Sequence, residues 1–169
     1  MKNNGYSLTE LVIVIAILGT LLGIAGISGK TWLERYRVEA QTKEMFTDLM
    51  NARASALQRN RMCFVNFAGA QYTIHEDTNP GPDGDGVFQS SSDRLIMQKS
   101  TQYPIVPALG GSATSFSFDK NGLVSLATPT TATGTLHFDS GAGPEYDCIT
   151  LCTTRILMGK WSGGDCVAQ

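Results

Sequence analysis

Residues 5–30 read GYSLTELVIVIAILGTLLGIAGISGK, and this stretch decides the fold. No charged side chain lies between Glu10 and Lys30. The intervening residues, built as a helix, span roughly 28 Å, which matches the hydrocarbon core of a bilayer. A secretory signal would have an apolar region of about 7–15 residues followed by a small-residue cleavage site, and this stretch has neither. The stretch therefore predicts a retained helix that crosses a membrane.

Glu10 is the anomaly of this stretch. A carboxylate at the edge of an apolar run costs on the order of a few kcal/mol and requires a partner. No Lys or Arg lies within one helical turn of Glu10. The nearest candidate cation is the α-amino group that cleavage before Tyr6 would create, on the same subunit or on a neighbour.

The stretch Gly5–Leu11, behind a short leader that bears Lys2, closely resembles the class III signal of type IV pilins and type II secretion pseudopilins. In that family a prepilin peptidase cuts after the Gly and the new N-terminal residue is N-methylated. A Glu at the fifth mature position pairs with the amine of the adjacent subunit. The resemblance implies cleavage between Gly5 and Tyr6, N-methylation of Tyr6 and an assembly role for Glu10.

The sequence departs from that pattern in two places. Tyr6 stands where Phe or Met is more usual, and residues 26–29 (GISG) replace the Pro that many major pilins carry midway along the helix. The two glycines predict a weak point at which the helix loosens during packing.

The second half of the helix, residues 30–61, is predicted to be amphipathic. The apolar stripe consists of Met45, Leu49, Ala52 and Ala56, with Phe46, Met50 and Leu57 beside them. The opposite face is predicted to carry Lys43, Glu44, Asp48 and Arg59. The stripe sustains too few heptads for a coiled coil, so we expect it to pack under a sheet.

After residue 61 the sequence changes to short alternating runs separated by turn residues, which predicts a β-rich head. Residues 119–122 (DKNG) are typical of a hairpin turn, and Thr153-Thr154 is a second candidate. The predicted strands are Met62–Phe67, Tyr72–Glu76, Leu95–Lys99, Ser115–Phe118, Leu123–Leu126, Thr135–Asp139, Cys148–Cys152 and Arg155–Trp161.

The head also resembles one branch of the pilin-like proteins. Residues 51–56 (NARASA) followed by 58–61 (QRNR) are similar to the helix end of the GspH/FimT family of minor pseudopilins and minor pilins. Residues 115–122 and 155–160 are similar to that family's hairpin and final strand. The resemblance implies an α+β pilin fold, a long N-terminal helix packed on a small antiparallel head. The predicted segments are a leader (1–5), a transmembrane and filament-core half of the helix (6–29), an amphipathic half (30–61) and a GspH/FimT-like head (62–169).

Charge and motif content exclude several classes of function. The head holds five Lys and Arg against ten Asp and Glu, a net charge of −5, so a phosphate backbone is repelled by its average field. No nucleophile motif, phosphate loop or metal signature links its Ser, His and Asp residues. The sequence therefore predicts a protein that is not an enzyme.

All four cysteines lie in the head, which suits a disulfide in an oxidising compartment. A bond from Cys148 or Cys152 to Cys166 would tie down the tail; the alternative is buried free thiols, Cys63 among them. A zinc site from these three tail cysteines and His137 is disfavoured, because a strand places Cys148 and Cys152 about 13 Å apart.

Two further sites are candidates. Asp77, Asn79, Asp83 and Asp85 bear oxygen ligands in one short loop, as a calcium site requires, but lack EF-hand spacing, so a solvated turn is favoured. Some FimT-like relatives bind DNA through a basic motif near the C-terminus. The matching positions here are Lys160 and Trp161, which retain one of two cations; an aromatic side chain in or beside the core is the favoured interpretation of Trp161.

The combined expectation is a minor pilin or pseudopilin of a type II secretion pseudopilus or a type IV pilus, at or near its tip, that supports protein secretion or pilus assembly. The alternative is a DNA-capturing minor pilin for natural transformation. The resemblance implies other pilin subunits, the prepilin peptidase and an inner-membrane assembly platform as partners. It places the chain in the bacterial inner membrane as a single-pass protein with its head in the periplasm and, after assembly, in the filament. No resident cofactor is expected apart from the calcium candidate.

Overall fold

The computed structural model describes residues 7–81, 84–126 and 133–169, and for residues 24–29 it describes the backbone alone. Within these residues one long helix precedes ten strands. The helix α1 runs over Leu8–Arg59 without interruption, so the backbone stays helical through the predicted weak point at residues 26–29. It ends where Asn60 adopts a left-handed conformation (φ 55°) and its N–H bonds to the Ala56 carbonyl, a common helix stop.

The strands form two antiparallel five-stranded sheets, in the orders β3-β2-β1-β5-β6 and β10-β9-β8-β7-β4. This confirms the predicted α+β pilin architecture. The strands are β1 Cys63–Phe67, β2 Gln71–Glu76, β3 Arg94–Ser100, β4 Ile105–Ala108, β5 Ser115–Phe118, β6 Val124–Leu126, β7 Thr133–Phe138, β8 Cys148–Cys152, β9 Ile156–Ser162 and β10 Asp165–Ala168.

All eight predicted strands are present, with ends that differ by at most two residues. Both predicted hairpin turns are confirmed. Gly122, at φ 69°, donates its N–H to the Asp119 carbonyl between β5 and β6, and Cys152 and Arg155 exchange backbone hydrogen bonds between β8 and β9. The sequence pattern missed β4 and β10. Pro107 argues against a strand, but β4 is an edge, where Pro is tolerated.

The core lies between the second half of α1 and the two sheets. Met45, Leu49 and Ala56 are at most 1% exposed, which confirms the predicted stripe. The predicted flank is wrong at Met50 and Leu57, which are 40% and 50% exposed. The buried surface is therefore narrower on that side than the sequence indicates.

Asp48 corrects the predicted polar face, because it is buried rather than exposed. Its carboxylate accepts the Tyr72 hydroxyl at 2.6 Å and lies 2.7 Å from the Lys99 ammonium, which also contacts Glu44 at 2.7 Å. Two strands of the first sheet thus supply the partners that make burial of this helix carboxylate tolerable.

A second polar cluster fastens the C-terminal end of α1 to the same sheet. The Glu76 side chain is fully buried, and three partly exposed guanidinium groups surround its carboxylate. The nitrogen-to-oxygen distances are 2.7 Å for Arg59, 3.3 Å for Arg61 and 3.7 Å for Arg94.

Candidate functional site

The first functional feature is the exposed half of α1, which we call the rod and define as residues 8–37. Every side chain that the structure describes in the rod is exposed, including Leu8 at 78% and Leu22 at 73%. Among the helix side chains that the structure describes, Val38 is the first that is buried. The apolar half of α1 therefore extends from the head without packing against it. A large exposed apolar surface of this kind marks a contact with protein or membrane.

Glu10 lies in the first turn of the rod, exposed, with its backbone N–H bonded to the Ser7 carbonyl at 3.1 Å. Among the described residues no cation is paired with its carboxylate. Gly5 and Tyr6, the predicted cleavage and methylation residues, lie outside the described residues. The roles assigned to these three residues stay predictions.

The rod leaves the head beside the loop of residues 139–147. Arg35 donates a hydrogen bond from Nε to the Ala142 carbonyl at 2.9 Å, and the Glu145 N–H bonds to the Glu39 carboxylate at 3.1 Å. These contacts fix the loop at the base of the head, next to the exposed apolar surface.

Above this loop two aromatic rings stack. The centroids of the His137 and Trp161 rings lie 3.9 Å apart with an interplanar angle of 11°, and the backbone N–H of Trp161 donates to the Asp147 carboxylate at 2.6 Å. Burial lowers the pKa of His137 and raises that of Asp147. The sequence pattern did not single out Asp147, because its role depends on strands that pair far apart in the chain. Lys160 is exposed and Trp161 is partly buried, and DNA contact at this pair stays a prediction.

The tail is tied down by a disulfide between Cys148 and Cys166, one of the two bonds predicted. Cys63 is a buried free thiol, and burial raises its pKa to about 11; Cys152 is a partly exposed free thiol. Cys148 and Cys166, two of the candidate ligands of the disfavoured zinc site, are joined in this disulfide.

The acidic loop places its candidate calcium ligands in different environments. Asp77 is 1% exposed; one of its oxygens accepts the Gly86 N–H at 2.7 Å, and the other has no hydrogen-bond partner among the described residues. Asn79 and Asp85 each bond to the Gln89 side chain, and Asp83 lies outside the described residues. No group of three or more His, Cys, Asp or Glu suited to a metal ion occurs in the described part of the chain. Calcium binding stays a prediction.

Comparison with known proteins identifies the family. The model of the family "Type II transport protein GspH" matches residues 41–155, which covers the C-terminal part of the amphipathic half of the helix and most of the head. The chain belongs to the GspH family. The prokaryotic N-terminal methylation motif matches residues 1–26, over the predicted leader and apolar stretch. No curated protein sequence matches.

Solved structures similar to this GspH-family chain include a type IV minor pilin and a minor pseudopilin. The type IV minor pilin FimU of Pseudomonas aeruginosa has a TM-score of 0.55 at 15% identity in one crystal form, over 79% of this chain and 99% of that one. A second crystal form gives 0.51 at 13% identity, with 75% and 99% covered. The minor pseudopilin EpsH from the type 2 secretion system of Vibrio cholerae gives 0.49 at 14% identity, with 76% and 99% covered. At these identities the FimU likeness shows the fold alone.

The family assignment confirms the predicted class of function: the chain is a structural pilin-like subunit and not an enzyme.

Judged over the described residues, none of the chain's helices combines the length and the apolar character that a membrane crossing needs.

Proposed function

We propose that this GspH-family chain is a minor subunit of a type II secretion pseudopilus or a type IV pilus, positioned at or near the tip and supporting protein secretion or pilus assembly. A prepilin peptidase removes the leader between Gly5 and Tyr6. The apolar part of the rod, up to residue 29, is then held in the bacterial inner membrane, with the head in the periplasm, until the assembly platform transfers the subunit into a filament of other pilin subunits. The methylation motif and the family support this course.

The exposed rod is the observation that carries the proposal. Leu11, Ile15 and Leu18 are 53–59% exposed, although each is a side chain that proteins normally bury. Burying one such side chain contributes about 1.5–3 kcal/mol. A helix with this surface requires either lipid or other rods around it. A filament subunit is surrounded by lipid before assembly and by neighbouring rods afterwards.

Glu10 determines how the rod packs. In a water-poor bundle of rods, its carboxylate needs a cation, and the methylated amine of a neighbouring Tyr6 supplies one. The pairing becomes obligatory as water is removed, because an unpaired buried charge costs several kcal/mol. Glu10 thereby ties entry into the filament to prior removal of the leader.

The test is Glu10→Ala in the full chain, expressed in cells that assemble the filament. We expect normal membrane insertion and leader removal but at least a tenfold loss of incorporation into sheared filaments, since 1.4 kcal/mol already changes an equilibrium tenfold. Glu34→Ala is the matched control, because Glu34 is an exposed carboxylate on the same rod and is expected to assemble normally. Incorporation of Glu10→Ala at the wild-type level would contradict the role of this carboxylate.

A further inference from the structure

A cavity of about 260 Å³ lies at the base of the head, between the end of β7 and strand β9. Its walls include Asp139, Asp147, His137 and Trp161, together with two glycines of the loop between the aspartates, Gly141 and Gly143. Both glycines have positive φ (64° and 58°), and a Cβ there would meet nothing within 4 Å. The loop therefore leaves room for a small ligand group beside the aromatic pair.

Asp147 gives this cavity its charge. The residue is 7% exposed, and one of its carboxylate oxygens accepts the backbone N–H of Trp161 at 2.6 Å. Among the described residues no Lys or Arg lies within 4.0 Å of either aspartate carboxylate. A buried carboxylate without a counter-ion is costly, so a cation that enters the cavity gains a strong partner.

The cationic side chains of the same chain that the structure describes near this cavity do not form an ion pair with Asp147. Arg35 is bonded to the Ala142 carbonyl, and Lys43 lies 3.6 Å from Glu39 and 5.3 Å from the Tyr146 ring centroid. Lys160 is exposed, and although its charge acts to lower the pKa of Asp147, burial outweighs it and the pKa is raised. His137 supplies no positive charge near neutral pH, because burial lowers its pKa.

The aromatic wall favours the same type of ligand. The parallel stack on His137 holds the Trp161 indole in one orientation. An indole attracts ammonium and guanidinium groups through the quadrupole of its ring. A fixed indole beside a buried carboxylate is suited to a cationic head on an aliphatic stem.

We propose that this cavity binds a Lys or Arg side chain from a neighbouring filament subunit. The neighbouring subunit as the source rests on the proposed function. The contacts of Arg35 and Glu39 place the cavity where the rod leaves the head, and rods that pack together bring neighbouring helices to this level. In this chain Lys30 and Arg37 are exposed on the rod near that level, which shows the kind of side chain a packed rod presents.

The cavity is tested with the full chain in detergent. Trp32→Phe leaves Trp161 as the sole tryptophan of a chain that has two. The probes are N-acetyl-lysine methylamide and its norleucine analogue, which lacks the ammonium group, at constant ionic strength. We expect a saturable change in Trp161 emission with the lysine probe, at a dissociation constant on the order of millimolar, and none with norleucine. Equal responses to the two probes, or a response that does not saturate, would overturn the proposed site. This test leaves both aspartates of the cavity unchanged.

Two variants then assign the carboxylate. Asp147→Asn is expected to raise the dissociation constant at least tenfold, whereas the exposed Asp139→Asn changes it by less than threefold. An intact Cys148–Cys166 disulfide and unchanged circular dichroism confirm that each variant is folded. A folded Asp147→Asn chain that binds the lysine probe as before would contradict the assignment.

Filament assembly tests the source of the cation. Asp147→Asn is expected to lower incorporation into filaments at least threefold, with leader removal unchanged. If the lysine probe binds but Asp147→Asn assembles normally, the neighbouring subunit is not the source. Failure of the Glu10→Ala prediction would instead remove the proposed function while leaving probe binding intact, so the two proposals fail separately.

Discussion

Tyr72→Phe removes one hydroxyl from the centre of the contact between the helix and the first sheet. The Tyr72 side chain is 2% exposed, and its hydroxyl donates to Asp48 at 2.6 Å. A hydrogen bond to a charged group contributes about 1.5–3 kcal/mol, and Phe keeps the ring volume, so we expect a loss of that size. For a chain of this length 1 kcal/mol corresponds to about 2–4 °C, which gives a melting temperature roughly 3–12 °C lower.

The pH dependence of this loss has a defined sign. Burial, followed by the hydrogen bond to Asp48, raises the pKa of Tyr72 above its usual 10.0. A raised pKa in the folded state contributes stability that is fully present below pH 10 and is lost as the pH rises through the folded value. The difference between wild type and Tyr72→Phe is therefore expected to be constant from pH 7 to 9 and to shrink above about pH 10.

The assay is thermal and urea unfolding of the full chain in detergent, followed by near-ultraviolet circular dichroism. Tyr36→Phe is the matched control, because the Tyr36 side chain is 60% exposed, and its expected change is below about 0.5 kcal/mol. A Tyr72→Phe variant within 0.5 kcal/mol of wild type at pH 7 would refute the reasoning from this buried hydrogen bond.

Two further predictions concern the stability of the head. Glu76→Gln breaks a buried ion pair, a change that costs about 3–5 kcal/mol when both partners are buried. Its guanidinium partners are 30–58% exposed and regain water, so about 2 kcal/mol is expected in urea unfolding, and a loss below 0.5 kcal/mol would argue against the cluster. Burial lowers the pKa of His75 and His137 below 6.5, so the stability these residues contribute is present above pH 6.5 and is lost as the pH falls through their folded values. The melting temperature should therefore fall between about pH 6.5 and 5, and a midpoint that is flat or rising over that range would contradict this sign.

Local signals predicted most of the fold. A single long helix is indicated by the uncharged run after Glu10 and by the helical spacing of Met45, Leu49 and Ala56. Helical periodicity can be recognised because it depends only on residues close together in the sequence. The turn at residues 119–122 placed the β5–β6 hairpin for the same reason: its geometry depends only on residues within the turn.

Features that depend on contacts between distant residues were missed or predicted wrongly. Asp48 was expected on the exposed face, since helical spacing carries no information about the Tyr72 hydroxyl and the Lys99 ammonium that approach it from another element. The site at Asp147 was missed because Trp161 reaches it only through the pairing of β8 with β9. The sequence restricted the disulfide to two bonds and left the choice to the tertiary structure.

The most direct test of the filament-subunit account is the intact mass of the chain extracted from membranes of the cells that make it. The account predicts a protein that begins at Tyr6 and carries one methyl group on its α-amine. A chain that still begins at Met1 when filaments are being assembled would contradict it, because the amine that Glu10 requires would not exist.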